Sequence, residues 1–146
     1  MRNRIRQFLA LAAVLMLLWP SMAFAAVTKT NVVLENNTTL TAGGGLVTKD
    51  ANTDLTGSYR TLVRIKFTNG ATGPTVPAQC QIQLAGASGG TYNNYGATMV
   101  SQTGNNVVTD FVVDLPDPGM WLQFSCGNNT AQNVTLRIEI DKITAI

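Results

Sequence analysis

The chain has 146 residues, of which 45% are hydrophobic and only 12% charged, with 13 Gly, 2 Cys and no His. That is the length of a single domain. Lacking His, it has neither Ser-His-Asp nor Cys-His nucleophilic catalysis and no His-ligated zinc, and the sparse Lys and Arg argue against the basic face that nucleic-acid binding needs.

Arg2, Arg4 and Arg6 precede an apolar run from Phe8 to Trp19, then Pro20 and Ala23-Phe24-Ala25 ahead of Ala26. This is the three-part layout of a secretory signal peptide. Twelve apolar residues rise roughly 18 Å as a helix, against a hydrocarbon core of roughly 30 Å, so an export signal fits better than a membrane anchor. The expectation is removal of residues 1–25 near Ala25, leaving 26–146 as one secreted domain, extracellular or periplasmic, without a membrane span. No Cys follows the apolar run, so the bacterial lipid-anchor site is absent. Three basic residues leave with the signal; seven then face eight acids, and the pI of 8.7 implies no nucleic-acid or anionic-membrane partner.

In chain order, Thr28–Glu35, Thr38–Thr41 and Leu46–Lys49 read as strands, with Gly43-Gly44-Gly45 between the last two. Residues 26–45 are thus an N-terminal strand or extension and 46–146 the core of the domain. Thr61–Phe67 alternates, with Val63, Ile65 and Phe67 on one face and Arg64 and Lys66 on the other. Ala78–Leu84 sets Cys80, Ile82 and Leu84 inward and three Gln outward. Residues 86–96 read as a Gly, Ser, Asn and Tyr loop, and Ala97–Gln102 as a short strand before the Gly104-Asn105-Asn106 turn. Val107–Leu115 alternates until Pro116-Asp117-Pro118-Gly119 stops it. Met120–Cys126 places Met120, Leu122, Phe124 and Cys126 together, opposite Trp121, Gln123 and Ser125. Val134, Leu136, Ile138 and Ile140 close the pattern. No helical stripe follows residue 25. The predicted fold is all-β: an antiparallel β-sandwich, jelly-roll or Ig-like, of seven to nine short strands, with a single closed barrel as the alternative.

Cys80 and Cys126 both face inward, and in an oxidising compartment they are expected to form a disulfide; two buried thiols are the alternative. Asp50, Asn52 and Asp54 open like a calcium loop, but Leu55 stands where the sharp-turn Gly belongs and Thr61 where a bidentate Glu belongs, so a surface turn is the better reading. Asp114 and Asp117 flank a Pro-rich turn and read as solvated acids, not a glycosidase pair. Tyr92, Asn93, Asn94 and Tyr95 on a Gly-rich loop have the composition of a recognition surface, to which Trp121 would add a stacking face for a glycan or partner. The competing reading has both Tyr rings capping the sandwich. Asn36, Asn37, Asn128 and Asn133 begin Asn-x-Thr triplets, which are glycan acceptors only in a eukaryotic secretory pathway.

The wording of Phe67–Gln79, Thr91–Gly96 and Gly127–Thr135 resembles small β-rich proteins of tailed phages and prophages, over roughly residues 36–146. The resemblance implies a virion-associated or surface β-sandwich that assembles with copies of itself or with a larger particle, with no catalytic residues to carry over. An export signal and two cysteines depart from that pattern. The functional expectation is a secreted, non-enzymatic structural protein that self-associates and uses no cofactor. The alternative is a carbohydrate- or receptor-binding module using the Tyr92/Tyr95 loop.

Overall fold

The computed structural model describes residues 26–116, 120–128 and 132–145; the predicted signal and Asp117 lie outside them. Eight strands form: β1 (Val27–Leu40), β2 (Val47–Asp54), β3 (Arg60–Asn69), β4 (Ala78–Ala85), β5 (Asn93–Val100), β6 (Val108–Pro116), β7 (Trp121–Asn128) and β8 (Val134–Ala145). They lie in two four-stranded sheets, ordered β1-β8-β3-β6 and β2-β7-β4-β5. The first four strands pair antiparallel with the last four in reverse order: β1 with β8, β2 with β7, β3 with β6, β4 with β5. The chain is therefore one long hairpin, rolled so that β3 also meets β8 and β4 also meets β7. That is the jelly roll, and it decides between the two sandwich topologies and against a single barrel.

The roll follows from side-chain period. Successive residues of a strand face opposite ways, so alternating apolar positions give each sheet one face that must be covered. Val63, Ile65 and Phe67 of β3 and Val134, Leu136, Ile138 and Ile140 of β8 face Cys80 and Ile82 of β4 and Leu122, Phe124 and Cys126 of β7, all essentially without solvent contact. Phe111 of β6 meets Phe67 edge to face, with centroids 6.3 Å apart. Leu55, just past β2, is fully buried. Its N–H donates to the Met120 carbonyl, and the residue plugs one end of the core.

Four readings need correction. The two predicted N-terminal strands are one, because the ladder to β8 absorbs residues between Val33 and Thr38 as bulges, with Asn37 at φ 57°. Second, β2 runs on to Asp54 through a bulge between Lys49 and Thr53, where Asp50 and Asn52 have positive φ. Asn and Asp tolerate that conformation best among non-glycine residues. Third, β5 begins at Asn93, inside the predicted loop, because the β4 ladder captures Asn93, Asn94 and Tyr95. Finally, Met120 precedes β7 and is 39% exposed, since no ladder holds it to the inward parity of Leu122.

The loops at one end dock by backbone and amide contacts. Asn69 is buried and donates to the carbonyls of Gln102 and Gly104, while Gly73 donates its N–H to Asn105. A Cβ on Gly73 would lie 1.8 Å from the Gly104 carbonyl oxygen, so only glycine fits this crossing.

Cys80 and Cys126 are directly paired in the β4·β7 ladder and joined by a disulfide. With a sequence separation of 46 between the partners, the bond is expected to stabilise the fold by about 4 kcal/mol on the chain-entropy account. Replacing both cysteines by Ala should lower the unfolding free energy by about that amount, measured by urea denaturation under non-reducing conditions.

Candidate functional site

The two outer faces differ in chemistry. On the β2-β7-β4-β5 sheet, the register places Gln79, Gln81 and Gln83 of β4 beside Gly127, Ser125 and Gln123 of β7. Their amides are linked: Gln123 Nε2 donates to Gln83 Oε1 at 2.9 Å, and Gln83 Nε2 to Asn94 Oδ1 at 2.9 Å. Gln81 mends a defect. The β4·β5 ladder slips between Cys80 and Ile82, with Gly96 at φ 68°. Nε2 of Gln81 reaches into that gap to the Tyr95 carbonyl at 2.9 Å, and its Oε1 accepts from Thr98 at 2.8 Å. The outward positions of β4, β5 and β7 carry no Lys, Arg, Asp or Glu. A shallow groove of about 180 Å³ runs between Leu46, the three Gln, Asn94, Thr98 and Ser125.

The opposite face is ionic. Asp141 of β8 is 2% exposed although it points outward, because it lies under Lys29, Arg64 and Asn31. Lys29 Nζ is 2.9 Å away, Arg64 Nη2 3.0 Å and Asn31 Nδ2 2.8 Å. Arg60 holds Asp114 through two nitrogens, and Arg137 pairs with Glu139. Asp114 is thus an ion-pair partner of β3. The diagonal relation of Asp141 to Lys29 and Arg64 needs strand order, which local pattern does not supply.

The predicted site residues divide. Asn52 Oδ1 accepts from the Gly89 N–H at 2.9 Å and from the Tyr92 hydroxyl at 3.0 Å, tying the β2 bulge to the β4–β5 loop. Tyr95 is half-buried against the core, opposite Ile82. Asn93 stands opposite Leu84 and Asn94 joins the amide face. Trp121 is half-buried, outward on β7, between Asp54 and Ala85. The structure does not bring Tyr92, Tyr95 and Trp121 onto one surface: Tyr95 shares the inward parity of Ile82 and Trp121 the outward parity of Gln123.

Two of the three oxygen donors of the calcium-like run are hydrogen-bonded, and Asp50 keeps a buried Oδ2 with no hydrogen-bond partner. Asp54 accepts from the Thr56 N–H and hydroxyl, Asn52 holds the loop, and Asp50 lies near Glu35 and Lys49. Among the described residues no group of three or more Cys, Asp or Glu is placed to hold a metal ion. Lys49 and Glu35, 3.7 Å apart, connect the two sheets at their open margin, where the Thr38 hydroxyl donates to Glu35. Asn128 is fully buried, with Nδ2 donating to the Leu40 and Gln132 carbonyls, so this side chain serves the interior. No helix among the described residues is long and apolar enough to cross a membrane.

No family model matches the chain, and no curated protein matches it in sequence. Solved structures do share its fold. A chain of the T13 viral particle of infectious bursal disease virus superposes with a TM-score of 0.53 at 14% identity, over 88% of this chain and 34% of that one. A chain of the Gx strain of the same virus gives 0.51 at 13% identity, over 83% and 33%. The prophage-derived protein YomS of SPBc2 lies lower, at 0.48 and 8% identity, over 84% of this chain and all of that one. This chain spans about a third of the length of the two viral chains, and what it shares with them is the sandwich.

Two carboxylates make opposite demands on pH. The hydrogen bond from Asn31, then Lys29 and Arg64, hold the Asp141 carboxyl below its ordinary 3.8 despite burial. Its stabilisation is complete above that value and lost as pH falls through the lower folded one. Asp50 is pushed up, first by burial and then by Glu35, against the pull of Lys49. Its charge therefore costs stability at neutral pH, a cost that vanishes in acid. Asp141→Asn should lower the Tm at pH 7, and Asp50→Asn, which keeps a residue suited to φ 48°, should raise it. Thermal melts should show the Asp50→Asn difference fading as pH falls toward about 4, and the Asp141→Asn difference fading only below about 4.

Proposed function

We propose that this chain is a secreted, non-enzymatic structural subunit that associates with copies of itself in a surface layer, filament or particle-like array. The observation that carries the reading is the uncharged, mutually hydrogen-bonded amide face on β4, β5 and β7. Covering a charge costs several kcal/mol unless a partner matches it, whereas amides already bonded to each other enter a contact with little left to satisfy. Such a face suits burial against a protein surface. Export is supported by the Cys80–Cys126 bond in the core, a kind of bond that oxidising compartments preserve.

The glycan-binding alternative draws less support. Tyr92 is engaged with Asn52 and Tyr95 with the core, which leaves Trp121 without the aromatic partners that the sequence offered it. Enzymatic chemistry would need converging acids, bases or nucleophiles, and Asp114, Glu139 and Asp141 are instead paired with cations while Asp54 is engaged in a turn.

Light scattering coupled to size-exclusion chromatography should show a mass above that of one chain, rising with concentration. A monomer at every concentration up to the millimolar range would overturn the proposal.

A further inference from the structure

Among the described residues, two four-stranded sheets leave four strand edges bare: β1 and β6 on one sheet, β2 and β5 on the other. Bare edges present unpaired N–H and C=O groups, and proteins protect them with bulges that spoil the template. Three of the four carry such bulges. The β2 edge is broken between Lys49 and Thr53 and the β5 edge between its partners of Cys80 and Ile82. β1 is broken only beyond Val33. β6 keeps unbroken register with β3 from Val108 to Pro116. The regular edges of the molecule are thus β6 and the first half of β1, and they belong to the same sheet.

Their outward side chains are unusual for strand edges. Val27 and Val33 on β1 are 60% and 41% exposed, and Val108 and Val112 on β6 are 46% and 67% exposed. Around them β6 carries Asp110 and the Arg60-held Asp114 and no cation, while the regular part of β1 carries Asn31 and Lys29, the latter paired with Asp141, and no acid. Direction also agrees. Each neighbouring pair in β1-β8-β3-β6 is antiparallel, so β1 and β6 run opposite ways. A second copy set beside the first, continuing the sheet, brings its β1 against β6 in antiparallel sense.

From these observations we propose that copies of this chain join head to tail through β6 of one and residues 27–33 of β1 of the next, forming a sheet continuous across subunits. The inference rests on the self-association reading above and adds to its amide face a second, edge-to-edge contact on the other sheet, with another copy of this chain as partner. Carrying the rows of the sheet straight across sets Val112 opposite Val33 and Asp114 opposite Asn31, with Lys29 on the diagonal to Asp114. The symmetric alternative, β6 against β6 about Val112, would set Asp110 against Asp114 twice and is disfavoured by like charge. A head-to-tail contact uses two different patches, so it grows into a ring or a filament and does not stop at a dimer.

The test compares the protein expressed from its full sequence with Val112→Lys, with Val76→Lys as an exposed loop control, and with Val112→Lys combined with Val33→Glu. Assembly is followed by light scattering over a concentration series, and the fold by circular dichroism. Val112→Lys should raise the concentration needed for half-assembly at least tenfold, Val76→Lys should leave it within twofold, and the double variant should recover most of the loss. Wild-type assembly that is insensitive to Val112→Lys, or a folded double variant that stays dissociated, overturns the β6–β1 interface while self-association stands. A wild-type chain that remains monomeric overturns both.

Discussion

The two closing pairings, β3 with β8 and β4 with β7, are the contacts on which the rest of this molecule depends. Without them the chain is a four-rung hairpin with an apolar stripe on each rung and nothing to cover it. With them it becomes two sheets whose inner faces are each other's solvent shield. The closing pairings also put Cys80 beside Cys126 and align Asp141 with the Arg64 and Lys29 that surround it. Core, covalent bond and ionic surface are three results of one act of rolling.

Much of that was legible one strand at a time. Val63, Ile65 and Phe67, or Val134 to Ile140, alternate so cleanly that strand and buried face follow from period alone. Met120 shows the limit of parity: it carries the right phase, yet it lies one residue before the ladder begins. The bulges were hidden for a related reason. Asp50 and Asn52 read as a surface turn, and here their tolerance of positive φ, like that of Asn37, bends strands without ending them. The Tyr92–Tyr95 stretch was read as loop from composition, but pairing with β4 turned three of its four residues into an edge strand and Tyr95 toward the core.

The surface was less readable than the core, for a reason of distance. The bond from Gln123 to Gln83 spans 40 residues and the contact of Lys29 with Asp141 more than a hundred. Sequence placed the two Gln outward and paired none of these groups. Only strand order showed that the amides gather on one sheet and the ions on the other. Gln81 is the sharpest instance, since its side chain supplies the hydrogen bond that a slipped backbone ladder leaves unmade.

The separation of amides from ions has a consequence for how the molecule meets its medium. Added salt shortens the reach of exposed charges to a few ångströms, so it loosens Arg60–Asp114 and Arg137–Glu139 while leaving the neutral hydrogen bonds of the other wall nearly untouched. One side of the sandwich therefore senses brine and the other does not. A lattice built from such subunits would have a side tuned by ionic surroundings and a side indifferent to them, a polarity already present in a single chain of almost no net charge.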